Sequence, residues 1–444
     1  MSQLLQRLER CTDRLPAKSL PLCLPGRLLY AVNHCYPFSS NGYAVRTHGV
    51  AAALVRSGLE VIAASRPGMP WDKQVFKSTE FAYGHLIDGV RYVHRSTPSA
   101  RMGSLEQYLT ACVDAWVELI RVFKPSAVMA ASNWHTALPA AIAAHELGMP
   151  FFYDVRGFWE VSRAAREPQW ADSLEYKQAV GCETLVARCA RKIFTLNRFM
   201  RDELTRRGID AERVELVPNG FPGWQAEPVQ RLTRAEVGIK ACHVVGYIGS
   251  FNDYEGLELL VEAVARLRQR GLDVALLLVG SSESSGLGAG GDFACPAIQR
   301  YRKLERELGV GDYLFTPGRV GPELTMSYYA LLDVVVIARP PLPVCELVSP
   351  MKPLEAAAHG KQVLMSDVAP LADLAGICSN FHYFAKGNVD ALTEKLAELL
   401  ATGNFSPPRS QGLDALSWEH NVQPMVRAIQ RLGATAEEQD PDSK

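Results

Sequence analysis

The stretch "ELVSPMKPLEAAAHG", residues 346–360, sets one cation and one acid at the mouth of an alanine-rich helix. The positive end of a helix N-terminus collects anions, and a lysine beside it adds a point charge. Lys352 is therefore a candidate anion contact. The prolines on either side of it hold its backbone. Its plainer role is an i,i+3 ion pair with Glu355 on the helix surface. Ser349, followed by Pro350 at the first helical position, is the expected cap, with Met351 beside them in the same turn. Glu355 and Glu346 are candidate acceptors for ligand hydroxyls, and a solvated helix acid is the alternative for Glu355.

Further candidates lie at the ends of apolar runs. Arg339 closes "VVVIARPP", and Arg319 stands in "TPGRVGPE". An arginine after a buried strand either points into a ligand site or makes a surface salt bridge. Gly42 lies in a Ser/Asn/Gly turn at a helix start, where a bare backbone can approach a ligand or merely turn. Arg46 follows one turn later and faces either a ligand or solvent. His135 comes just after "AASNW" and is either a ligand contact or a core histidine. In "YDVRGFWE", Asp154 and Arg156 are candidate ligand groups or a structural pair. The arginines of "SRAAREPQW" either draw an anionic lipid phosphate or form a solvated loop.

The elements that must carry these residues alternate. "RLLYAVNH" (27–34), "LEVIAAS" (59–65), "SAVMAAS" (126–132), "PFFYDVR" (150–156) and "KIFTLN" (192–197) read as strands. "YAVRTHGVAAALVRSG" (43–58) and "ALPAAIAAHELG" (137–148) read as helices between them. The alternation restarts at "HVVGYIGS" (243–250) and continues through "VALLLVG", "DVVVIAR" and "KQVLMSD". Repeated βαβ units with apolar strands mean parallel sheets covered on both faces. Two series, parted near "NGFPGWQAEP", predict an α/β chain of two Rossmann-like domains facing one another. Ligands in such folds bind beyond the carboxyl ends of the strands, so the expected site is the interdomain cleft. The expected divisions are residues 1–222, residues 223–415, a returning helix over 416–432 and a disordered tail over 433–444. "SSESSGLGAGGDF" (281–293) reads as a mobile loop.

The bulk numbers exclude several classes. The 444 residues carry a net charge of −1, with 48% hydrophobic and 21% charged residues. That balance offers nucleic acid no global attraction. The longest apolar runs have the length of buried strands, not of membrane spans. The charged N-terminus is not a secretory signal. Ten cysteines without CxxC spacing predict reduced, packing thiols and a cytoplasmic location.

Several segments, spread over residues 27–432, resemble retaining glycosyltransferases of the GT-B superfamily, close to family 4. They are "SSNGYAVRTHGVAAALVRSGLEV", "FTLNRFMRDELTRRGIDAERVELVPNGF", "GYIGSFNDYEGLELLVEAVARL", "SPMKPLEAAAHGKQVLMSD" and "SWEHNVQPM". The strongest likeness is to a bacterial polysaccharide and lipid-linked glycan subgroup with YEGL and PxKPLEA signatures. The resemblance implies transfer of a sugar, with retention, from a nucleotide-sugar to a glycan or lipid-linked acceptor. It implies a diphosphate held by Arg339 and Lys352, a ribose on Glu355, and donor contacts from Glu346, Gly42, Ser349, Pro350, Met351 and Arg319. Arg156, His135 and Arg46 fall on the acceptor side. No metal and no cofactor are expected, nor any nucleic-acid partner, and peripheral contact with the inner membrane face is left open. Two departures stand out. The first of the family's two glutamates falls on Leu347, one place from Glu346. The usual loop arginine and lysine fall on Ser250 and Glu255. Those losses keep two other readings open: a nucleotide-sugar 2-epimerase or hydrolase on the same fold, and a non-catalytic nucleotide-sugar-binding subunit.

Overall fold

The computed structural model describes residues 2–12, 23–39, 41–72, 83–101, 103–223, 232–282, 295–403 and 412–437. The chain divides into two compact units. The first comprises residues 1–219 and 418–444, and the second residues 220–417. The divisions thus fall at 219/220 and 417/418 rather than at 222/223 and 415/416.

The first unit is built on eight strands: β1 (Leu24–Val32), β2 (Glu60–Ser65), β3 (Gly84–Ile87), β4 (Val90–Val93), β5 (Pro125–Ala131), β6 (Phe151–Val155), β7 (Lys192–Thr195) and β8 (Val214–Leu216). Their order is β3-β4-β2-β1-β5-β6-β7-β8, and only the β3–β4 pair is antiparallel. The apolar runs become central strands because helices cover both faces. Leu28 to Val32 and Ala127 to Ala131 are all buried. That small hairpin, β3–β4, was not expected from the sequence. The order reverses between β1 and β5, which makes their carboxyl ends the switch point of this sheet.

The second unit carries β9 (His243–Ile248), β10 (Val274–Val279), β11 (Leu314–Gly318), β12 (Val334–Ile337), β13 (Gln362–Ser366) and β14 (Phe381–Phe384). All pairs are parallel, in the order β11-β10-β9-β12-β13-β14. The switch point lies between β9 and β12. The core packs the helix Leu257–Gln269 and the strands around Val245, Leu276 and Val336.

The chain's last stretch corrects an expectation. The return to the first unit is two helices, Trp418–Asn421 and Gln423–Glu437, so 433–437 is helical rather than disordered. Trp418 seats on Gly49, where any Cβ would come within 2.4 Å of the indole. The rest of the expected tail, and nearly all of the expected loop over 281–293, lie outside the described residues. The ten cysteines are all free. Among the described residues no helix is long and apolar enough to cross a membrane.

Candidate active site

Glycines clear the switch point of the second unit. Gly249 and Gly280 directly follow β9 and β10, β11 ends at Gly318, and Gly249 N–H donates to the Val279 carbonyl while Gly280 N–H donates to that of Gly318. A Cβ on Gly280 would lie 1.7 Å from the Gly249 carbonyl oxygen. A Cβ on Gly249 would lie 2.6 Å from Cε of Lys352 and 2.7 Å from the Tyr247 hydroxyl. The lysine stem therefore lies across the bare backbone at the carboxyl end of β9. The sequence flagged Lys352 but not Gly249; its signal was the "YIGS" ending of an apolar run.

Lys352 Nζ donates to Glu355 Oε2 at 2.9 Å, and both side chains keep about a quarter of their surface in water, at 25% and 22%. The i,i+3 pair, the plainer of the two roles open to Lys352, is formed. A single ion pair that keeps contact with water is worth little beside a fully buried one, so a ligand that offers each partner something better separates it at small cost.

The start of this helix differs from expectation. The helix is Lys352–Ala358, with Met351 at the cap position and Pro353 in the first turn. Ser349 and Pro350 precede it in a partly buried turn. The Met351 carbonyl accepts from the Leu354 and Glu355 N–H groups, each at 3.1 Å, so no Ser349 hydroxyl caps this helix. Proline is tolerated at Pro353 because first-turn amides lack helical partners anyway.

Arg339 sits two residues beyond β12, as a strand-end cation should, but it is not open to a ligand. It is 6% exposed. Its Nη2 and Nε donate to the two Glu255 oxygens at 2.8 and 3.2 Å, and Nη1 donates to the Val348 carbonyl at 3.0 Å. Burial alone would lower the guanidinium pKa; Glu255 more than offsets that, and it stands above its ordinary value. Glu255 thus holds the arginine that was expected to meet a diphosphate.

Glu346 is also committed. It accepts from the Ala369 N–H at 2.9 Å and from Lys386 Nζ at 2.5 Å, so it ties three loops together. Arg319 follows Gly318 directly beyond β11 and is partly exposed.

In the first unit, Asp154 is fully buried near the end of β6. It accepts from Arg156 Nε at 2.7 Å, from Arg46 Nη2 at 3.2 Å and from the Tyr30 hydroxyl. Arg156 also donates to Thr47 Oγ1, the Tyr43 carbonyl and the Tyr30 oxygen. Arg46 donates to the carbonyls of Val217 and Pro218 and to Asn219 Oδ1. Two guanidinium groups taken out of water need such partners, and only Arg46 Nε goes without one. Arg46 and Arg156, expected to face a ligand, instead brace the sheet.

His135 lies in the first turn of the helix Trp134–Glu146, just beyond β5, against the Trp134 ring at 3.9 Å. Burial, with Arg66 adding to it, pushes its imidazole down to about 4, so it is neutral at pH 7. What anchors this turn carries no local signature in the sequence. Glu183 accepts from the Trp134 N–H at 2.8 Å and from the Tyr153 hydroxyl. Burial and the nearby Glu160 push its carboxyl up to about 8. Gly42 opens the helix Gly42–Arg56, capped by Asn41, and a Cβ there would meet nothing within 4 Å. Packing does not demand that glycine, and the space before it stays open. Among the described residues no group of three or more His, Cys, Asp and Glu side chains could hold a metal ion.

Comparison with known proteins agrees with this frame. Residues 41–220 match the family described as "Glycosyl transferase 4-like domain", and residues 242–402 match "Glycosyl transferases group 1". A search of curated proteins finds no match. Among solved structures, a sucrose-phosphate synthase from Thermosynechococcus elongatus shares 19% identity with a TM-score of 0.68, over 92% of this chain and 99% of that one. HepE from Anabaena, in complex with UDP and glucose, shares 15% identity with a TM-score of 0.59, over 94% and 100%. The catalytic domain of starch synthase IV from Arabidopsis thaliana, bound to ADP and acarbose, has a TM-score of 0.60 over 94% and 100%.

Proposed function

The chain belongs to the glycosyltransferases that join a 4-like domain to a group 1 domain on the GT-B fold, and from that premise we propose that it moves a sugar, with retention and without a metal, from a nucleoside-diphosphate sugar to a hydroxyl of a glycan or lipid-linked acceptor. The observation that carries the reading is Lys352 lying over Gly249 at the switch point, with Glu355 one turn into the helix. UDP in HepE and ADP in starch synthase IV, as those structures are named, support a nucleoside diphosphate as the donor's leaving part.

The chemistry follows from the charges. The acceptor oxygen attacks the anomeric carbon, the bond from that carbon to the diphosphate breaks, and the acceptor proton passes to the departing phosphate on the same face. Negative charge grows on the diphosphate. Lys352 meets it as a compact, mobile point charge, and preorganised charge is most effective where water is scarce. Once Lys352 turns to the phosphate, Glu355 is released to accept both ribose hydroxyls. The Lys352–Glu355 ion pair is thus exchanged for two ligand contacts. Arg319, Ser349, Pro350, Met351 and Gly42 complete the proposed donor contacts, and His135 the proposed acceptor contact.

The test measures UDP, ADP and GDP binding by calorimetry, and turnover with the sugar nucleotide of the tightest. Lys352→Met should lower turnover about 10²–10³-fold, the loss typical of one transition-state donor. Glu355→Gln should cost about 1.5–3 kcal/mol in nucleotide affinity, as for a hydrogen bond to a charged group. Normal turnover in Lys352→Met overturns the assignment. Free nucleotide released at the full rate with no acceptor present overturns transfer in favour of an epimerase or hydrolase.

A further inference from the structure

The buried Glu255–Arg339 pair has no place in the chemistry above, yet it stands at the same switch point. Its side chains are 6% and 8% exposed. Three segments meet on it. Glu255 ends the turn that begins at Gly249. Arg339 lies just past β12. Val348, whose carbonyl takes the third N–H direction, belongs to the segment that leads into Lys352. Two more contacts tighten the same junction. Cys345 Sγ donates to the Tyr254 carbonyl at 3.4 Å. Gly256, at φ +70°, presses so close to the Ala338 carbonyl oxygen that a Cβ would stand 2.0 Å from it.

The geometry points to Arg339 and Glu255 as positioning residues: the guanidinium holds the Gly249–Gly256 turn with two donors and the Val348 carbonyl with a third, and so sets where Lys352 lies over Gly249. The inference rests on the reading of Lys352 given above. A planar fork with donors in fixed directions can bridge two loops at once; an ammonium on a flexible stem cannot. The pair is too deeply buried and too fully bonded to give a phosphate more than it already gives the loops. Its effect on a ligand passes through Lys352, whose stem touches the opposite end of the same turn. Paired with Glu255, the strand-end arginine has the task of aligning the residue that meets the anion rather than of meeting it.

A double-mutant cycle separates this from direct contact. Arg339→Lys and Lys352→Met are made singly and together, with Glu255→Gln as a second way to loosen the junction should Arg339→Lys fail to fold. Circular dichroism melting checks each protein. Calorimetry then measures the tightest of UDP, ADP and GDP, and the matching nucleoside without phosphates. Arg339→Lys should weaken the diphosphate about tenfold, a coupling of the size contacting residues show, and leave the nucleoside unchanged. In the Lys352→Met background the same change should cost less than about twofold, because the residue it acts through is gone. Losses that multiply mean that Arg339 touches the ligand itself, and the inference falls. Equal weakening of diphosphate and nucleoside means general loosening, and it falls again. A silent Lys352→Met, by contrast, strikes at the proposed function rather than at this step.

Discussion

Asp154→Asn should strip the first unit of much of its stability while leaving its shape intact. The carboxylate is completely buried and faces two guanidinium groups, Arg156 at 2.7 Å and Arg46 at 3.2 Å. Asparagine keeps the size and one acceptor but removes the charge, and so leaves two buried cations without an anion. Breaking a buried pair in this way costs about 3–5 kcal/mol. The lower half of that range applies here, because Arg46 keeps the Val217 and Pro218 carbonyls and Arg156 keeps Thr47. At about 2–4 °C per kcal/mol for a unit of this size, the melting point should fall by roughly 6–16 °C. The pH dependence follows from the carboxyl pKa. Burial raises it, but Arg156 and then Arg46 outweigh burial and hold it below the usual carboxylate value. A depressed folded-state pKa gives stability that is present above the unfolded value of about 3.9 and is lost as pH falls through the folded one. The gap between wild type and variant should be flat from pH 5 to pH 8 and close below about pH 4. Calorimetric melting across that range reads both. A variant that melts within 2 °C of wild type at pH 7, or a gap that widens in acid, refutes the reasoning.

Three further outcomes are expected. Glu183 carries a carboxyl raised to about 8 by burial and Glu160, so the folded state binds a proton that the unfolded chain gives up near pH 4.3, and stability should fall by up to about 1.4 kcal/mol per pH unit between those values. Glu183→Gln should flatten that slope in urea titrations from pH 5 to pH 9, and parallel curves would count against it. Gly256→Ala places a Cβ 2.0 Å from backbone at φ +70°, and should cost about 2 kcal/mol or more in thermal melts; a change under about 0.5 kcal/mol would mean the turn relaxes freely. Turnover in excess EDTA should stay within about twofold of the untreated rate, since the sequence holds no metal-binding acidic pair; complete loss restored by Mg²⁺ or Mn²⁺ refutes metal independence.

The frame was legible because its signals are local. Apolar runs such as Glu60–Ser65 and Val274–Val279 have strand length, and Gly58 and Gly271 stop the helices before them with positive φ. Most of both sheets follows from that alternation, and β8, β11, β14 and the β3–β4 hairpin escaped it because short, half-exposed strands leave little pattern. The partners of the charged residues were not legible. Glu255 and Arg339 are 84 positions apart, Arg46 and Asp154 108, and Glu346 and Lys386 40. No periodicity reports which acid a strand-end arginine will meet after the chain has folded.

Burial then sorts the candidates by a rule the sequence could not apply. A guanidinium enclosed by the fold must have its donors filled by the protein, since an unmet buried charge costs more than most contacts return. Arg156 and Arg339 obey that rule at every guanidinium nitrogen, and Arg46 obeys it at both Nη atoms while its buried Nε has no partner. A residue that is to exchange its partner for a ligand must instead be held loosely, partly in water, beside backbone that leaves room. Lys352 and Glu355 meet all three conditions: one exposed ion pair, about a quarter of each side chain in solvent, and a glycine beneath the lysine stem. Arg339 fails the same test, and Arg319, partly exposed beyond Gly318, meets its condition of lying partly in water. The weakness of the Lys352–Glu355 pair is thus an argument for its function, because a strong pair could not open for a substrate within a catalytic cycle.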